Sequence, residues 1–345
     1  MLKFLHLADL HLGCMHSSLP PDIADELAED AFRVLYRMLR FARDEADAVL
    51  IAGDLFDSAT PPPSVFERTI ALFGDAGVPV FISPGNHDYL DARSPYLTRE
   101  WPECVHIFDS EELSAVKFHG FLIYGCAFSD VYCHTPKLDH FRSPGSPQSV
   151  LLMHGDISNT SKYCPIRARD IANCAADYLA LGHIHARSSP VQADGGTVYA
   201  YSGCALPTGF QDEGDVGAYL VTIDKKVSVE FVSFGAHRFI DIPLRLNGIP
   251  DPVGRIRELL SDHSRDLVRL TLTGVPERPI SHSELNTLQK QTFYLQIIDN
   301  TSVTHVDEYS LAGIVKSVAA ERGYENSTAL RLALAALDGE ERPQW

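Results

Sequence analysis

The chain has 345 residues, 45% of them hydrophobic, which is enough apolar material for a sizeable core and favours two domains over one. This composition excludes a disordered or fibrous protein. The formal net charge is −17, from 29 Lys and Arg against 46 Asp and Glu, so a nucleic-acid substrate would need bound cations, a local basic strip or a basic partner.

Short apolar and β-branched runs alternate with helical or loop segments up to about residue 235, which predicts an α/β fold built in layers. One long helix is predicted over Pro21–Glu45, because apolar residues recur along one face and Pro21 suits a helix N-terminus. The segment Thr60–Ser64 is interpreted as a loop. The predicted strands are Lys3–Leu7, Ala48–Ala52, Val78–Ser83, Phe118–Tyr124, Val150–Met153, Tyr178–Leu181, Val198–Tyr201, Ala218–Ile223 and Val227–Phe234.

The strands from Val198 onward lie close together without helices between them. This spacing predicts antiparallel pairing and a second sheet packed on the first. We therefore expect a sandwich of two sheets flanked by helices.

After Phe234 the pattern changes to that of a small α+β domain, entered through a turn at Asn247–Pro252. Its predicted helices and strands, in chain order, are Arg255–Leu260, Leu267–Leu272, Ser283–Gln291 and Phe293–Ile298. The last stretch is helical, with Leu330, Leu334 and Leu337 on one side. The predicted parts of the chain are residues 1–240, 241–305 and 306–345.

The seven cysteines are an odd number without paired spacing, and the chain opens into a strand-like run without the features of a signal peptide. These observations predict a cytoplasmic protein with reduced thiols. No apolar stretch approaches the roughly 20 residues needed to cross a bilayer, so we expect no membrane span.

Five of the predicted strands end in clusters of metal-binding residue types. Loops beyond strand carboxyl ends are where α/β folds assemble sites. Taken singly, each residue could be an ordinary turn residue or a hydrogen-bonded structural one. Five such clusters at predicted strand ends are hard to explain by turn chemistry alone. The clusters contain Asp9 and His11, Asp54 and Asp57, Asn86, His87 and Asp88, His154 and Asp156, and His183 and His185.

The candidate ligands are four imidazoles, two carboxylates and an amide. This set is too rich in nitrogen for calcium or magnesium and lacks the thiolates of structural zinc, so manganese, iron or zinc would suit it. Seven ligands exceed the three or four that one catalytic ion usually takes from protein, which favours two ions bridged by a carboxylate. The predicted metal ligands are Asp9, His11, Asp54, Asn86, His154, His183 and His185.

The ordered set Asp-x-His, Gly-Asp, Gly-Asn-His-Asp, His and Gly-His-x-His resembles the calcineurin-like metallophosphoesterase superfamily over about the first 205 residues. Within it, Phe4–Gly13 and Gly53–Asp57 resemble the SbcD-type DNA repair nucleases. Tyr201–Gly214 and Val268–Gly274 are similar to that subfamily as well, the latter to part of its small capping domain. The resemblance implies a manganese-dependent nuclease that acts on DNA with an SbcC-type coiled-coil ATPase.

The resemblance also implies roles for individual residues. It implies that His87 lies just outside the metals as a proton donor or transition-state contact. Some archaeal and eukaryotic nucleases of this family have His where this chain has Asp57, so that position offers no second imidazole here. The implied ion sites share Asp54 as a bridge, one being completed by Asp9, His11 and His185 and the other by Asn86, His154 and His183.

Further residues near the ligands are expected to assist them. Asp57, Asp88 and Asp156 are candidates for contacts just outside the ligands, and Asp88 and Asp156 are expected to orient ligand imidazoles. The candidates for phosphate binding are Lys162, Arg167, Arg169 and Arg187, which flank the histidines.

The favoured hypothesis is a manganese-dependent DNA phosphodiesterase, with exonuclease or endonuclease action left open and a homodimer possible. A small-molecule or protein phosphoesterase on the same metal core is the alternative, and the acidic composition supports it. A non-catalytic scaffold of the same fold is a third hypothesis, against which the intact ligand set counts. Cleavage of DNA with manganese, as opposed to turnover of aryl phosphates or cyclic nucleotides only, distinguishes the first two hypotheses.

Overall fold

The computed structural model describes residues 1–212, 214–302, 311–324 and 327–337. The chain divides into two compact units, Met1–Phe239 and Ile240–Trp345. Among the described residues, no helix combines the length and the hydropathy that a membrane span requires.

Two mixed sheets form the centre of the first unit, flanked by helices α1 (Pro21–Glu45), α2 (Pro63–Gly74), α3 (Pro95–Thr98) and α4 (Ala168–Asn173). Its strands are β1 (Leu2–Leu7), β2 (Ala48–Ile51), β3 (Val80–Ile82), β4 (Val105–Ile107), β5 (Ser114–Phe118), β6 (Phe121–Gly125), β7 (Ser149–His154), β8 (Tyr178–Gly182), β9 (Val191–Gln192), β10 (Val198–Tyr201), β11 (Ala218–Ile223) and β12 (Val227–Val232). One sheet has the order β12-β11-β1-β2-β3-β4 and the other β5-β6-β7-β8-β10-β9. The expected two-sheet sandwich flanked by helices is confirmed.

Strand β2 is apolar along its whole length because both of its faces are buried. On β2, Val49 and Ile51 pack in a core with Leu35 of α1 and Phe73 of α2. The alternate residue Leu50 joins a core that both sheets share. Parallel strands covered on both faces read as continuous hydrophobic runs, which explains why these strands were visible in the sequence.

Strand pairing differs from the prediction in two places. The predicted strand Phe118–Tyr124 is instead the hairpin of β5 and β6, which turns at His119 and Gly120, both with positive φ. The strands from Val198 onward do not form one antiparallel run. Strand β10 pairs parallel with β8 in the second sheet, whereas β11 pairs antiparallel with β1 and β12 in the first.

Helix α2 was not predicted, and it begins inside the segment Thr60–Ser64 that was interpreted as a loop. Its first residue is Pro63, which suits the first helical position because no backbone N–H is needed there. The short strands β4 and β9 were also not predicted, having only three and two residues.

The second unit contains a sheet of order β13-β14-β15. Strand β13 was not predicted, and the predicted helix Ser283–Gln291 is divided into α6 and a 3₁₀ turn at Gln289–Gln291. Residues 303–310, 325–326 and 338–345 of the predicted small domain and tail lie outside the described residues. The elements are β13 (Phe239–Arg245), α5 (Pro252–Leu260), β14 (Leu267–Gly274), α6 (His282–Asn286), β15 (Tyr294–Thr301), α7 (Leu311–Glu321) and α8 (Thr328–Leu337).

Candidate metal centre

The predicted ligands lie at the carboxyl ends of five central strands. Strands β1, β2 and β3 are parallel neighbours in one sheet, and β7 and β8 are parallel neighbours in the other. Their carboxyl ends therefore meet at one edge of the sandwich, where loops can assemble a site. The ligand candidates at this edge are Asp9, His11, Asp54, Asn86, His154, His183 and His185, of which His154 is the last residue of β7 and the others lie in loops.

The backbone at this edge is strained in the way that functional sites often are. Asp9, His11, Asp54 and His183 all have positive φ, with values between 45° and 100°. Gly53 is required by close packing, because a Cβ at that position would lie 2.2 Å from Nδ1 of His154.

The first group of donors consists of Asp9, His11 and His185, whose ligand atoms lie within 4.8 Å of one another. Nε2 of His11 is 3.2 Å from Nε2 of His185, so the two ring nitrogens face a common point. This group offers two imidazole nitrogens and one buried carboxylate. Divalent transition metals bind such mixed nitrogen and oxygen donors.

The second group is built around the amide of Asn86. Its Oδ1 lies 2.9 Å from Nε2 of His154 and 3.1 Å from Nδ1 of His183. The Asp54 carboxylate lies between the two groups, with Oδ2 at 3.4 Å from Nε2 of His154 and 3.8 Å from Nε2 of His11. The seven predicted ligands are thus brought together in two adjoining groups that share Asp54.

Buried charge in the centre fits a bound cation. Burial, together with the negative charge of Asp54, raises the pKa of Asp9 to about 7. Burial lowers the pKa of His154 to about 3, and burial with neighbouring His154 lowers the pKa of His183 to about 4. Neutral imidazoles are the form that binds metals, and a divalent cation would offset the repulsion between the buried carboxylates. At His11 and His185, hydrogen bonds with Asp57 and Asp212 outweigh burial and raise the pKa, so an ion bound there would displace a proton.

Three ligand imidazoles are held from behind through Nδ1, which leaves Nε2 directed into the centre. Nδ1 of His11 is 3.1 Å from Oδ1 of Asp57, and Nδ1 of His154 is 2.9 Å from the carbonyl oxygen of Ala52. Nδ1 of His185 is 2.7 Å from Oδ1 of Asp212.

Asp212 was missed by the sequence reasoning. The carboxylate is buried, and its Oδ2 accepts hydrogen bonds from the backbone N–H and the hydroxyl of Thr208 at 2.7 and 2.8 Å. The segment Tyr201–Gly214 was noted for its resemblance to nucleases, but no spacing rule connects Asp212 to His185.

The Asp88 carboxylate has other partners than the ligand imidazole that was expected, whereas Asp156 affects a ligand imidazole electrostatically. The Asp88 carboxylate accepts hydrogen bonds from the backbone N–H groups of Gly85 and Phe56 and from the hydroxyl of Tyr96. It therefore anchors the loop around Asn86 and does not orient an imidazole through these bonds. The Asp156 charge opposes the fall that burial causes in the pKa of His183, so it acts on this ligand through its charge.

His87 lies at the mouth of the centre, with its side chain 47% exposed. Its backbone N–H donates to Oδ1 of Asp54 at 2.9 Å, and its ring meets the ring of His11 edge-on at 4.7 Å. Nδ1 of His87 is 3.4 Å from the backbone carbonyl oxygen of Asp57.

The four basic candidates are not equivalent. Arg167 forms ion pairs with Asp139 at 2.7 Å and Asp170 at 2.6 Å, and Arg169 contacts Asp170 at 3.5 Å. These carboxylates compete for the two guanidinium groups, which counts against their predicted phosphate-binding role. The remaining two cations lie over aromatic rings, Arg187 over Phe231 and Lys162 over Tyr132.

Comparisons with known proteins add the family context. The family model described as calcineurin-like phosphoesterase matches residues 2–187. The chain is 32% identical over 247 residues to the uncharacterized metallophosphoesterase YhaO of Bacillus subtilis, covering 67% of this chain and 60% of YhaO. It thus spans about three fifths of the length of that relative.

Two further relatives have names that refer to DNA repair or nuclease activity. The DNA double-strand break repair protein Mre11 of Saccharolobus solfataricus is 22% identical over 332 residues, covering 90% of this chain and 85% of that protein. The D component of the nuclease SbcCD of Bacillus subtilis is 28% identical over 261 residues, covering 62% of this chain and 64% of that component.

Proposed function

The chain belongs to the calcineurin-like phosphoesterase family, and we propose that it is a two-metal phosphodiesterase whose substrate is DNA. The observation that carries the proposal is the convergence of the two donor groups on Asp54, which lies within 4 Å of an imidazole nitrogen from each group. The choice of DNA as substrate is supported by two relatives, one named as a DNA double-strand break repair protein and the other as a subunit of a nuclease.

In this proposal each ion would have its own ligand set, and the carboxylate of Asp54 would belong to both. Mixed nitrogen and oxygen donors favour manganese, with iron or zinc as alternatives. The first ion is assigned to Asp9, His11 and His185, and the second to Asn86, His154 and His183.

Two bound ions would lower the pKa of a water molecule and offset the negative charge of the phosphate. The chain itself supplies the proton for the leaving group. In the imidazolium form of His87, Nδ1–H can donate to the carbonyl oxygen of Asp57, and Nε2–H is then free to protonate the leaving oxygen of the scissile phosphodiester, which leaves a neutral imidazole. The exposure of the His87 side chain gives a substrate access to it.

A second candidate function is hydrolysis of small-molecule or protein phosphate esters at the same centre. The net charge of −17 and the carboxylates that occupy Arg167 and Arg169 favour it, because both weaken the attraction of a DNA backbone. A non-catalytic scaffold is a weaker candidate, since a chain that binds no metal has no chemical need for this donor set.

We further propose a coiled-coil ATPase of the SbcC type as partner, bound through the tail helices. Leu311, Ile314 and Val318 of α7 are 42–63% exposed, and such an apolar helix face suits a helical partner. Of the predicted stripe on α8, Leu330 and Leu334 are partly buried and Leu337 is exposed. Truncation after Gly323 removes α8 and keeps α7, so it should weaken ATPase binding, and unchanged binding would contradict this role for α8.

A cytoplasmic location remains part of the proposal. All seven cysteines are free, which suits a reducing compartment.

The substrate is tested with purified protein and labelled single- and double-stranded DNA, in manganese and in chelator. We expect DNA cleavage in manganese that chelator abolishes. Bis-nitrophenyl phosphate serves as a parallel substrate that reports the metal centre itself. Turnover of this ester without any cleavage of DNA would reject the nuclease and favour the second candidate.

A further inference from the structure

Beside the metal centre lies a small surface of two tyrosines and a lysine, here named the aromatic patch (Tyr132, Lys162 and Tyr163). Two loops are joined by backbone hydrogen bonds to form it. The N–H of Cys133 donates to the carbonyl oxygen of Lys162 at 2.9 Å, and the N–H of Cys164 donates to the carbonyl oxygen of Cys133 at 2.6 Å. The patch is thus held by paired backbone and does not depend on one free loop.

The patch begins at a predicted metal ligand and extends to the surface. The ring of Tyr163 lies 4.7 Å from the ring of His183, and Nζ of Lys162 is 5.2 Å from the ring centre of Tyr163. The same Nζ is 4.2 Å from the ring centre of Tyr132, whose side chain is 47% exposed. An exposed aromatic ring and a cation therefore adjoin the place where the scissile phosphate would bind.

Lys162 differs from the neighbouring arginines in its partners. Arg167 and Arg169 are paired with aspartates, whereas Lys162 has no ion pair with any carboxylate in the described part of the chain. Contacts with the hydroxyls of Tyr132 and Tyr163 raise the pKa of Lys162, so the ammonium stays charged. In a protein with a net charge of −17, such a cation is suited to attract a phosphate.

We propose that Tyr132 is a stacking surface for an unpaired nucleobase and that Lys162 binds the adjacent backbone phosphate, so that a single-stranded segment leads into the metal centre. This inference rests on the proposed DNA substrate. Aromatic rings stack with any base, because every base has a π face. A base inside a duplex already stacks on its neighbours, so the patch favours single strands and frayed ends over closed duplex.

The alternative is a structural role, in which Tyr132 only packs against the aliphatic part of the Lys162 side chain. The two roles differ in what the ring must contact: a stacking surface requires the base, whereas the structural role does not. An oligonucleotide whose bases are removed but whose backbone is intact separates them.

The test measures equilibrium binding of a fluorescent single-stranded oligonucleotide and of its abasic counterpart, together with KM and kcat for cleavage in manganese. Tyr132→Leu should weaken binding of the base-bearing strand by a factor of about 5 to 100 and raise its KM, with a much smaller change for the abasic strand. Tyr132→Phe keeps the ring and should restore binding. Tyr324→Leu, at a tyrosine that is 60% exposed in the second unit, is the matched control.

Equal weakening for the base-bearing and abasic strands, no weakening, or failure of Tyr132→Phe to restore binding would each overturn the stacking role. Lys162→Gln should weaken both strands and reduce the salt dependence of binding, because it removes a phosphate contact. Wild-type protein that hydrolyses bis-nitrophenyl phosphate but neither binds nor cleaves DNA would overturn the proposed substrate itself, which is a different result from loss of base dependence alone.

Discussion

The two groups of donors in the candidate centre differ in what lies behind their imidazoles. In the acidic half (Asp9, His11 and His185), Asp57 supports His11 and Asp212 supports His185. In the neutral half (Asn86, His154 and His183), the imidazoles contact the amide of Asn86, and His154 is supported from behind by a backbone carbonyl.

This difference appears in the pKa values of the histidines. Burial alone would lower the pKa of His11, but the hydrogen bond with Asp57 and the charges of Asp54 and Asp9 outweigh it and raise that pKa to about 9. Burial is not offset in the same way in the neutral half, where the pKa of His154 falls to about 3. One edge of a fold can therefore offer two ion sites of unequal charge, and we expect the acidic half to bind its ion more tightly.

The largest effect should come from Asp54→Ala, because this carboxylate belongs to both halves. Wild-type protein loaded with manganese should approach two ions per chain by elemental analysis, and Asp54→Ala should lower occupancy of both sites. The metal affinity should fall by more than the roughly 10–100-fold that is typical when a mutation removes only a residue that supports a ligand from behind. Asp194→Ala, at an exposed carboxylate, is the control. A single ion that persists in Asp54→Ala would reject the shared bridge.

The next largest effect concerns His87, which lies outside both halves. His87→Asn should keep the metal content and lower turnover of ordinary phosphodiesters by about 10²–10⁴-fold, as expected for loss of a general acid. Bis-nitrophenyl phosphate has a leaving group that needs no proton, so its turnover should fall much less. His140→Asn, at a side chain that is 94% exposed, is the control. Equal losses on the two substrates would exclude the acid role, and loss of metal would assign His87 a structural one.

A smaller effect is expected from Asp212→Asn, which changes only the acidic half. Asn keeps the size of the side chain but removes the charge that holds His185, so the affinity of one manganese ion should fall by about 10–100-fold. Calorimetric titration with manganese should show this loss in one of two binding phases. Asp215→Asn lies in the same loop and is exposed, which makes it a matched control. Equal weakening of both phases would remove the distinction between the halves.

The sequence predicted the two-sheet fold because the central strands are continuous apolar runs and their polar ends interrupt them abruptly. The same abrupt ends made the ligand candidates visible, although their metal roles remain proposals. Helix α2 was not predicted because the prolines at its start are typical of loops. The hairpin of β5 and β6 was predicted as one strand because its turn has only two residues.

Contacts between distant loops were not predictable in this way. Asp212 meets His185 across 27 residues, and the aromatic patch joins Tyr132 to Lys162 from separate loops. The spacing of these residues in the sequence follows neither a helical nor a strand repeat, because each contact depends on how the loops fold over the sheet edge. Such contacts become visible only when the chain is seen in three dimensions.

The smallest predicted effect is on stability in the metal-free protein, where the two halves should respond to pH in opposite directions. The pKa of His11 is raised above its usual value near 6.5, so its contribution to the free energy of unfolding is complete below about pH 6.5 and is lost as pH rises toward 9. The pKa of His154 is lowered, so its contribution is complete above about pH 6.5 and is lost as pH falls toward 3.

Urea unfolding in chelator, at several pH values between about 5 and 9, measures the free energy of unfolding across this range. We expect an acid limb, where stability is lost as pH falls below about 6.5, and an alkaline limb, where stability is lost as pH rises above it, each on the order of 1–3 kcal/mol.

His11→Asn should reduce the alkaline limb and leave the acid limb, whereas His154→Asn should reduce the acid limb. Part of the alkaline limb should remain in His11→Asn, because the hydrogen bond with Asp212 outweighs burial and raises the pKa of His185 as well. Burial also lowers the pKa of His6 to about 3 and that of His183 to about 4, so part of the acid limb should remain in His154→Asn. The control His140→Asn should change neither limb, because this side chain is 94% exposed. Identical pH profiles for His11→Asn and His154→Asn would show that the halves are electrostatically equivalent, against the contacts that distinguish them.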